Sequence, residues 1–162
     1  MLNVSSQAIP TNPAVKIAVP KSMDLAVHFE KFVEYWAGKN PVDYLGPVGD
    51  PPCDMTAEVT LRWMGTVSGT LVIRCHQDFL LWLKSVRSYK PSHLSTEKEI
   101  FHEMATLYVV YLIQSFWLSE IFELGLIIPR PSTPDQWPVR EPNVTCSLLA
   151  GDHPVEIRFW MD

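Results

Sequence analysis

The stretch "TAEVTLRWMGTVSGTLVIR", residues 56–74, decides the fold. Ala57, Val59, Leu61 and Trp63 alternate with Thr56, Glu58, Thr60 and Arg62. Period-two alternation puts the first set on one face of a strand and the second on the other. Gly65-Thr66 turns the chain, and Val67, Gly69, Leu71 and Ile73 repeat the pattern. The segment therefore reads as a β-hairpin with one face toward a core.

The same pattern recurs at the end of the chain. Val144, Cys146 and Leu148 alternate with Thr145 and Ser147. Gly151-Asp152 makes the turn, and Val155, Ile157, Phe159 and Met161 alternate with Glu156 and Arg158. Helical spacing fills the rest. Leu25, Phe29, Phe32, Val33 and Trp36 share a stripe, with Asp24 expected as the cap and Gly38 as the stop. "QDFLLWLKSVR", residues 77–87, reads as a short amphipathic helix. Thr96 followed by Glu99 is a capping-box signature for a long helix that runs to about Glu123. Residues 39–54, "KNPVDYLGPVGDPPCD", are expected to be loop or turn, and "PRPSTPDQWPVREP" a proline-rich connection. Two hairpins separated by helices predict an α+β fold: an antiparallel β-sheet with a layer of helices. Residues 1–22, with three prolines and little periodicity, read as an N-terminal extension, and 23–162 as a single domain.

Bulk properties narrow the function. At 47% hydrophobic and 19% charged residues the composition is globular rather than disordered. A formal net charge of −5 argues against a generic nucleic-acid or anionic-membrane binder. Cys53, Cys75 and Cys146 fit neither a disulfide framework nor a metal knuckle, so a reducing cytoplasm is the expected compartment. The first residues lack a basic start followed by an apolar run, so no signal peptide is expected. The apolar run from Met104 to Leu118 is broken by Thr106, Gln114 and Ser115 and is short for a membrane span. No phosphate-binding glycine loop or nucleophile elbow is present. The histidines at 28, 76, 93, 102 and 153 form no HxxxH pair, so no metal site is expected. Asn143-Val144-Thr145 matches a glycosylation sequon inside an expected cytoplasmic strand and is read as chance.

The long helix carries the one unexplained pattern. In "EIFHEMATLYVVYLIQSFWL", residues 99–118, a nearly all-apolar sequence holds Glu99, Glu103 and Thr106 at i, i+4 and i+7. The three share a face. Two like charges one turn apart cost about 0.2–0.5 kcal/mol. Either the stripe is simply hydrated, or it meets a partner.

These residues resemble the motif of the CheC/CheX/FliY chemotaxis phosphatases, CheX-like members in particular. That motif is Asp or Ser, three residues, Glu, two residues, Asn, then twenty-two residues and Pro. Here Glu99 stands in the first place, Glu103 matches the Glu, Thr106 replaces the Asn, and Pro129 falls at the final spacing. "EMAT" is similar to the family's "ELAN", and Gly65 and Gly69 match its glycine-spaced strand pair. "PSTP" at 131–134 resembles its Ser-Thr-Pro strand entry, which would shift the final Pro to Pro134. A second register, Ser95, Glu99 and His102, also fits but puts His in the Asn place.

The resemblance covers residues 23–162 and implies a substrate, a CheY-type response regulator phosphorylated on aspartate. It implies that Glu103 anchors the regulator's active-site lysine and that the residue at 106 orients a water for attack on phosphorus. Glu99, His102 and Pro129 are implied as partner-binding residues. No cofactor is implied; any Mg2+ belongs to the receiver. A homodimer is implied, and Trp63 and Trp160 are candidates for its interface. A hydroxyl reaches less far than a carboxamide, and on a helix it can bond back to the preceding turn. Thr106 therefore leaves two readings: a phosphatase, weakened or inactive, or a receiver-binding module without catalysis. An unrelated α+β domain with merely solvated glutamates is the third.

Overall fold

The computed structural model describes residues 19–38, 42–47, 55, 57–63, 68–86, 96–124, 130–132 and 137–162. In chain order the elements are α1 (Ser22–Ala37), β1 (Val42–Gly46), β2 (Ala57–Trp63), β3 (Gly69–Cys75), α2 (Gln77–Val86), α3 (Glu97–Leu124), β4 (Arg130–Ser132), β5 (Val144–Ala150) and β6 (His153–Met161). The six strands form one sheet in the order β1-β5-β6-β3-β2-β4, and every pairing is antiparallel. The expected α+β architecture is therefore the observed one.

The two predicted hairpins are its centre. β2 and β3 pair from Ala57↔Cys75 to Trp63↔Gly69. The C-terminal hairpin docks beside them through β3 and β6, with Leu71 opposite Phe159 and Ile73 opposite Ile157. Its two-residue loop, Gly151-Asp152, has φ of +57° and +68°, the left-handed pair that a tight hairpin turn needs. Gly151 is doubly constrained, because a Cβ there would lie 2.6 Å from the Trp82 ring. Gly69 answers a different demand. A Cβ on it would sit 2.6 Å from both the Trp160 carbonyl oxygen and Trp63 Cζ2, so only glycine lets the Trp63 ring lie across the hairpin.

The helices form one layer. Leu25, Phe29, Phe79, Leu83, Met104, Tyr108 and Leu112 share a single buried cluster with Leu61, Trp63, Leu71, Ile73, Ile157 and Phe159 of the sheet. Burying side chains of this size contributes about 1.5–3 kcal/mol each before chain entropy is charged against it. α1 packs over β5 and β1, α2 over β6, and α3 against β2 and both other helices. Tyr108 Oη donates to the Leu25 carbonyl at 2.9 Å and its ring meets Phe29 edge-on at 5.1 Å, tying α3 to α1.

Three expectations need correction. Asp24 is not the cap of α1. Lys21 is, with extended backbone, and Asp24 sits in the first turn and accepts the Lys21 N–H at 2.8 Å. Gly38 does end the helix, its N–H donating to the Glu34 carbonyl. Within 39–54, Val42–Gly46 is a strand rather than loop, pairing with β5. Pro47 follows this short edge strand directly, a place where a missing donor is tolerated. The pairing, and a hydrogen bond from Tyr44 Oη to Ser22 Oγ at 3.0 Å, are long-range and leave no local trace. Likewise 130–132 in the proline-rich connection adds a short edge strand to β2.

The tryptophans proposed for an interface lie inside the chain, Trp63 at 1% and Trp160 at 2% exposure. Trp63 belongs to the core under the helices. Trp160 is on the opposite face of the sheet, its ring 5.7 Å from Trp137 and its Nε1 donating to the Arg140 carbonyl. Trp137 in turn donates from Nε1 to Thr60 Oγ1. Glu156, buried on this face, is held by Arg158 at 2.7 Å and Arg74 at 3.6 Å. Most of the expected extension, 1–18, lies outside the described residues, and α1 already begins at Ser22. No helix among the described residues is long and apolar enough to cross a membrane.

Candidate functional site

The site begins with a helix cap. Thr96 Oγ1 accepts the Glu99 N–H at 3.1 Å, and the Thr96 carbonyl accepts from Ile100. The cap fixes where α3 starts and so which residues share each face. Glu99 falls in the first turn, where a carboxylate meets the positive end of the helix dipole.

Downstream, buried residues come in pairs every fourth position: Ile100 and Phe101, Met104 and Ala105, Tyr108 and Val109, Leu112 and Ile113. That periodicity turns the remaining residues outward. Glu99 is exposed, while His102, Glu103 and Thr106 are half-buried. The stripe is thus real but not uniformly open, its first residue exposed and the others half-buried.

Three of these side chains meet a strand. An open cleft of about 420 Å³ lies between the first turns of α3 and β2, lined by Glu58, Val59, Lys98, Glu99, Phe101, His102 and Glu103. Among the described residues β4 covers β2 only from Thr60 to Arg62, so the β2 segment at this cleft has no strand on its outer side. Glu99, Glu103 and Lys98 border the cleft from the helix and β2 borders it at Glu58 and Val59, with apolar Val59 and Phe101 at its wall. Glu58 is also 3.3 Å from Arg74 Nε, which connects the cleft to the charged network around Glu156. Glu99 and Glu103 on its helix side outnumber Lys98, an imbalance that suits a cationic side chain presented by a partner.

Thr106 is turned to another use. Its hydroxyl donates to the His102 carbonyl at 2.9 Å, one turn back, and it does not line the cleft. His102 does line it, and its Nε2 is buried without a hydrogen-bond partner. Structure thus brings together Glu99, His102 and Glu103 and leaves Thr106 beside them. Pro129, Ser95 and Pro134 lie outside the described residues. Glu58 and Lys98 are the residues sequence reasoning missed. Glu58 reads only as the outward side of a strand, and nothing local reports that a helix crosses it.

Other reactive groups point away from chemistry. Burial pushes the Cys75 thiol up to about 12 and the Cys146 thiol to about 11, the latter despite a hydrogen bond with Ser22. Buried thiols of this kind are poor nucleophiles at neutral pH. Among the described residues no cluster of three or more His, Cys, Asp or Glu could hold a metal ion.

No protein-family model matches the sequence, and no curated protein sequence is similar to it. Solved structures are similar. The chemotaxis protein CheX from Vibrio vulnificus superposes with a TM-score of 0.60 at 9% identity, over 86% of this chain and 97% of that one. A chemotaxis protein CheX from Desulfovibrio desulfuricans gives 0.56 at 8% identity, over 87% and 98%. A CheC-like superfamily protein from Shewanella sp. PV-4 gives 0.55 at 10%, over 86% and 96%. Nearly the whole length of each relative is matched, so this chain has the fold of the CheX and CheC-like chemotaxis proteins.

Proposed function

We propose that this chain is a CheX-like signalling protein that binds a CheY-type response regulator at the α3/β2 cleft and hydrolyses its aspartyl phosphate. The observation that carries the reading is the placement of Glu103, the motif's Glu, beside Glu99 and His102 in one open cleft on a helix of this fold. In this reading Glu103 anchors the receiver's active-site lysine, a pairing the acidic lining favours. The receiver brings its own Mg2+, and this chain's task is to place a water in line with the scissile P–O bond. Such a loose transition state asks the protein for positioning rather than covalent help. The protein acts in the cytoplasm and as a homodimer, with the sheet edges β1 and β4 as the surfaces available for pairing.

A second reading has its own observation. Thr106 spends its hydroxyl on its own helix, which suits a module that binds a receiver without dephosphorylating it. Decay of phosphorylated receivers encoded near this chain's gene separates the two. Faster decay with wild type, lost in Glu103→Gln, supports the phosphatase. Unchanged decay with measurable binding supports the module. Neither binding nor decay with any such receiver overturns both.

A further inference from the structure

We infer that His102, rather than Thr106, is the group that orients the attacking water in this cleft. The inference rests on the receiver-phosphatase reading above and deepens it. Its basis is a contrast between two half-buried residues on neighbouring faces of α3. Thr106 has committed its only donor to the His102 carbonyl at 2.9 Å and does not reach the cleft. His102 forms part of the cleft wall next to Glu103, and its Nε2 is buried with no hydrogen-bond partner.

A buried nitrogen left without a hydrogen bond is unfavourable, because it has given up water and gained no partner. No hydrogen bond holds the buried Nε2 where it is, so turning the ring about Cβ–Cγ toward the cleft breaks none at that atom. A neutral imidazole carries one donor and one acceptor, the same pair a carboxamide offers. It also extends further from the helix than a threonine hydroxyl.

In the step this implies, the imidazole accepts a hydrogen bond from water while the water oxygen forms a new bond to phosphorus. The bond between phosphorus and the aspartyl oxygen breaks, and its electron pair stays on the carboxylate. The water proton passes to the imidazole nitrogen and from there to solvent, and inorganic phosphate leaves. No oxidant, reductant or further co-reactant is needed.

The test follows decay of a phosphorylated CheY-type receiver with wild type, His102→Ala, His102→Gln and Thr106→Ala, and measures binding of each to the same receiver. His102→Ala is expected to lose at least tenfold of the acceleration, since misplacing a water by about 1 Å costs on the order of a hundredfold. His102→Gln recovers part of it, Thr106→Ala keeps it, and binding changes less than twofold throughout. Loss of acceleration in Thr106→Ala with full activity in His102→Ala overturns this inference and leaves the phosphatase reading standing. Loss of binding in parallel with activity in His102→Ala also overturns it, because His102 would then serve docking. A wild type that binds receivers without accelerating decay overturns the inference together with the phosphatase reading.

Discussion

The Thr106 hydroxyl lies 2.9 Å from the His102 carbonyl oxygen and donates to it, so the polar group in the motif's carboxamide place is used inside its own helix. Replacing it frees and lengthens that group. On the second reading, a receiver-binding module without catalysis, Thr106→Asn is expected to raise receiver dephosphorylation by about tenfold or more, because correct water placement is worth rate on the order of a hundredfold per ångström. A single-turnover decay assay reads it. No change in rate would show that position 106 has no line to the reacting water even with the longer side chain.

Gly69 is a packing requirement with a sharp consequence. A methyl group there would meet the Trp160 carbonyl and the Trp63 ring, both at 2.6 Å, and neither is the end of a flexible chain. Gly69→Ala is expected to destabilise the fold by about 1–3 kcal/mol, the usual cost of overpacking. Urea unfolding gives the number. A loss under about 0.5 kcal/mol, the scale of an ordinary surface substitution, would mean that the hairpin yields more easily than this contact implies.

Thr96 sets the start of α3 and hence the presentation of Glu99 and Glu103. Thr96→Ala removes the acceptor for the Glu99 N–H and is expected to cost about 1 kcal/mol. Amide exchange should rise in the first turn of α3 while that of β3 and β6 stays unchanged. Uniform loss of protection across the sheet would contradict a local role for the cap.

The buried thiols predict a loss of stability in alkali. Cys75 and Cys146 ionise near 12 and 11 in the folded chain because burial disfavours the thiolate, against an ordinary value of 9.0. Above pH 9 the unfolded chain releases these protons while the folded chain keeps them. The folded-state preference is therefore fully present below pH 9 and is lost as pH rises through 11 to 12. Each group contributes a slope of up to about 1.4 kcal/mol per pH unit in that window. Denaturant unfolding at pH 8 and pH 10 checks it, and Cys75→Ala should flatten the difference. An identical fall in that variant would assign the alkaline loss to other groups.

The central strands and helices were legible because their patterns are local. Period-two alternation marked β2, β3, β5 and β6, helical spacing marked α1, α2 and α3, and Gly151-Asp152 marked its turn. The edge strands were not. β1 and β4 are short, flanked or interrupted by proline, and exist because β5 and β2 offer them partners at distant sequence positions. The aromatic surplus misled as a sign of an interface: Trp63 lies on the core face that its alternation assigns it, and Trp160 is covered on the other face by Trp137 from a distant segment. At the site, spacing placed Glu99, Glu103 and Thr106 on one side of α3. It did not tell that β2 runs beside them at Glu58 and Val59, nor that His102 rather than Thr106 shares their cleft.

In the proposed function the α3/β2 cleft holds a receiver's lysine. The most direct measurement is the dissociation constant of a CheY-type receiver, activated with beryllium fluoride, for wild type, Glu103→Gln and the control Lys31→Glu, whose side chain lines a separate groove between α1 and α3. Hydrogen bonds to charged groups are worth about 1.5–3 kcal/mol, so Glu103→Gln should weaken binding at least tenfold while Lys31→Glu stays within twofold of wild type. Unchanged affinity in Glu103→Gln, with a loss in Lys31→Glu, would place the partner on the outer helix groove and contradict the account.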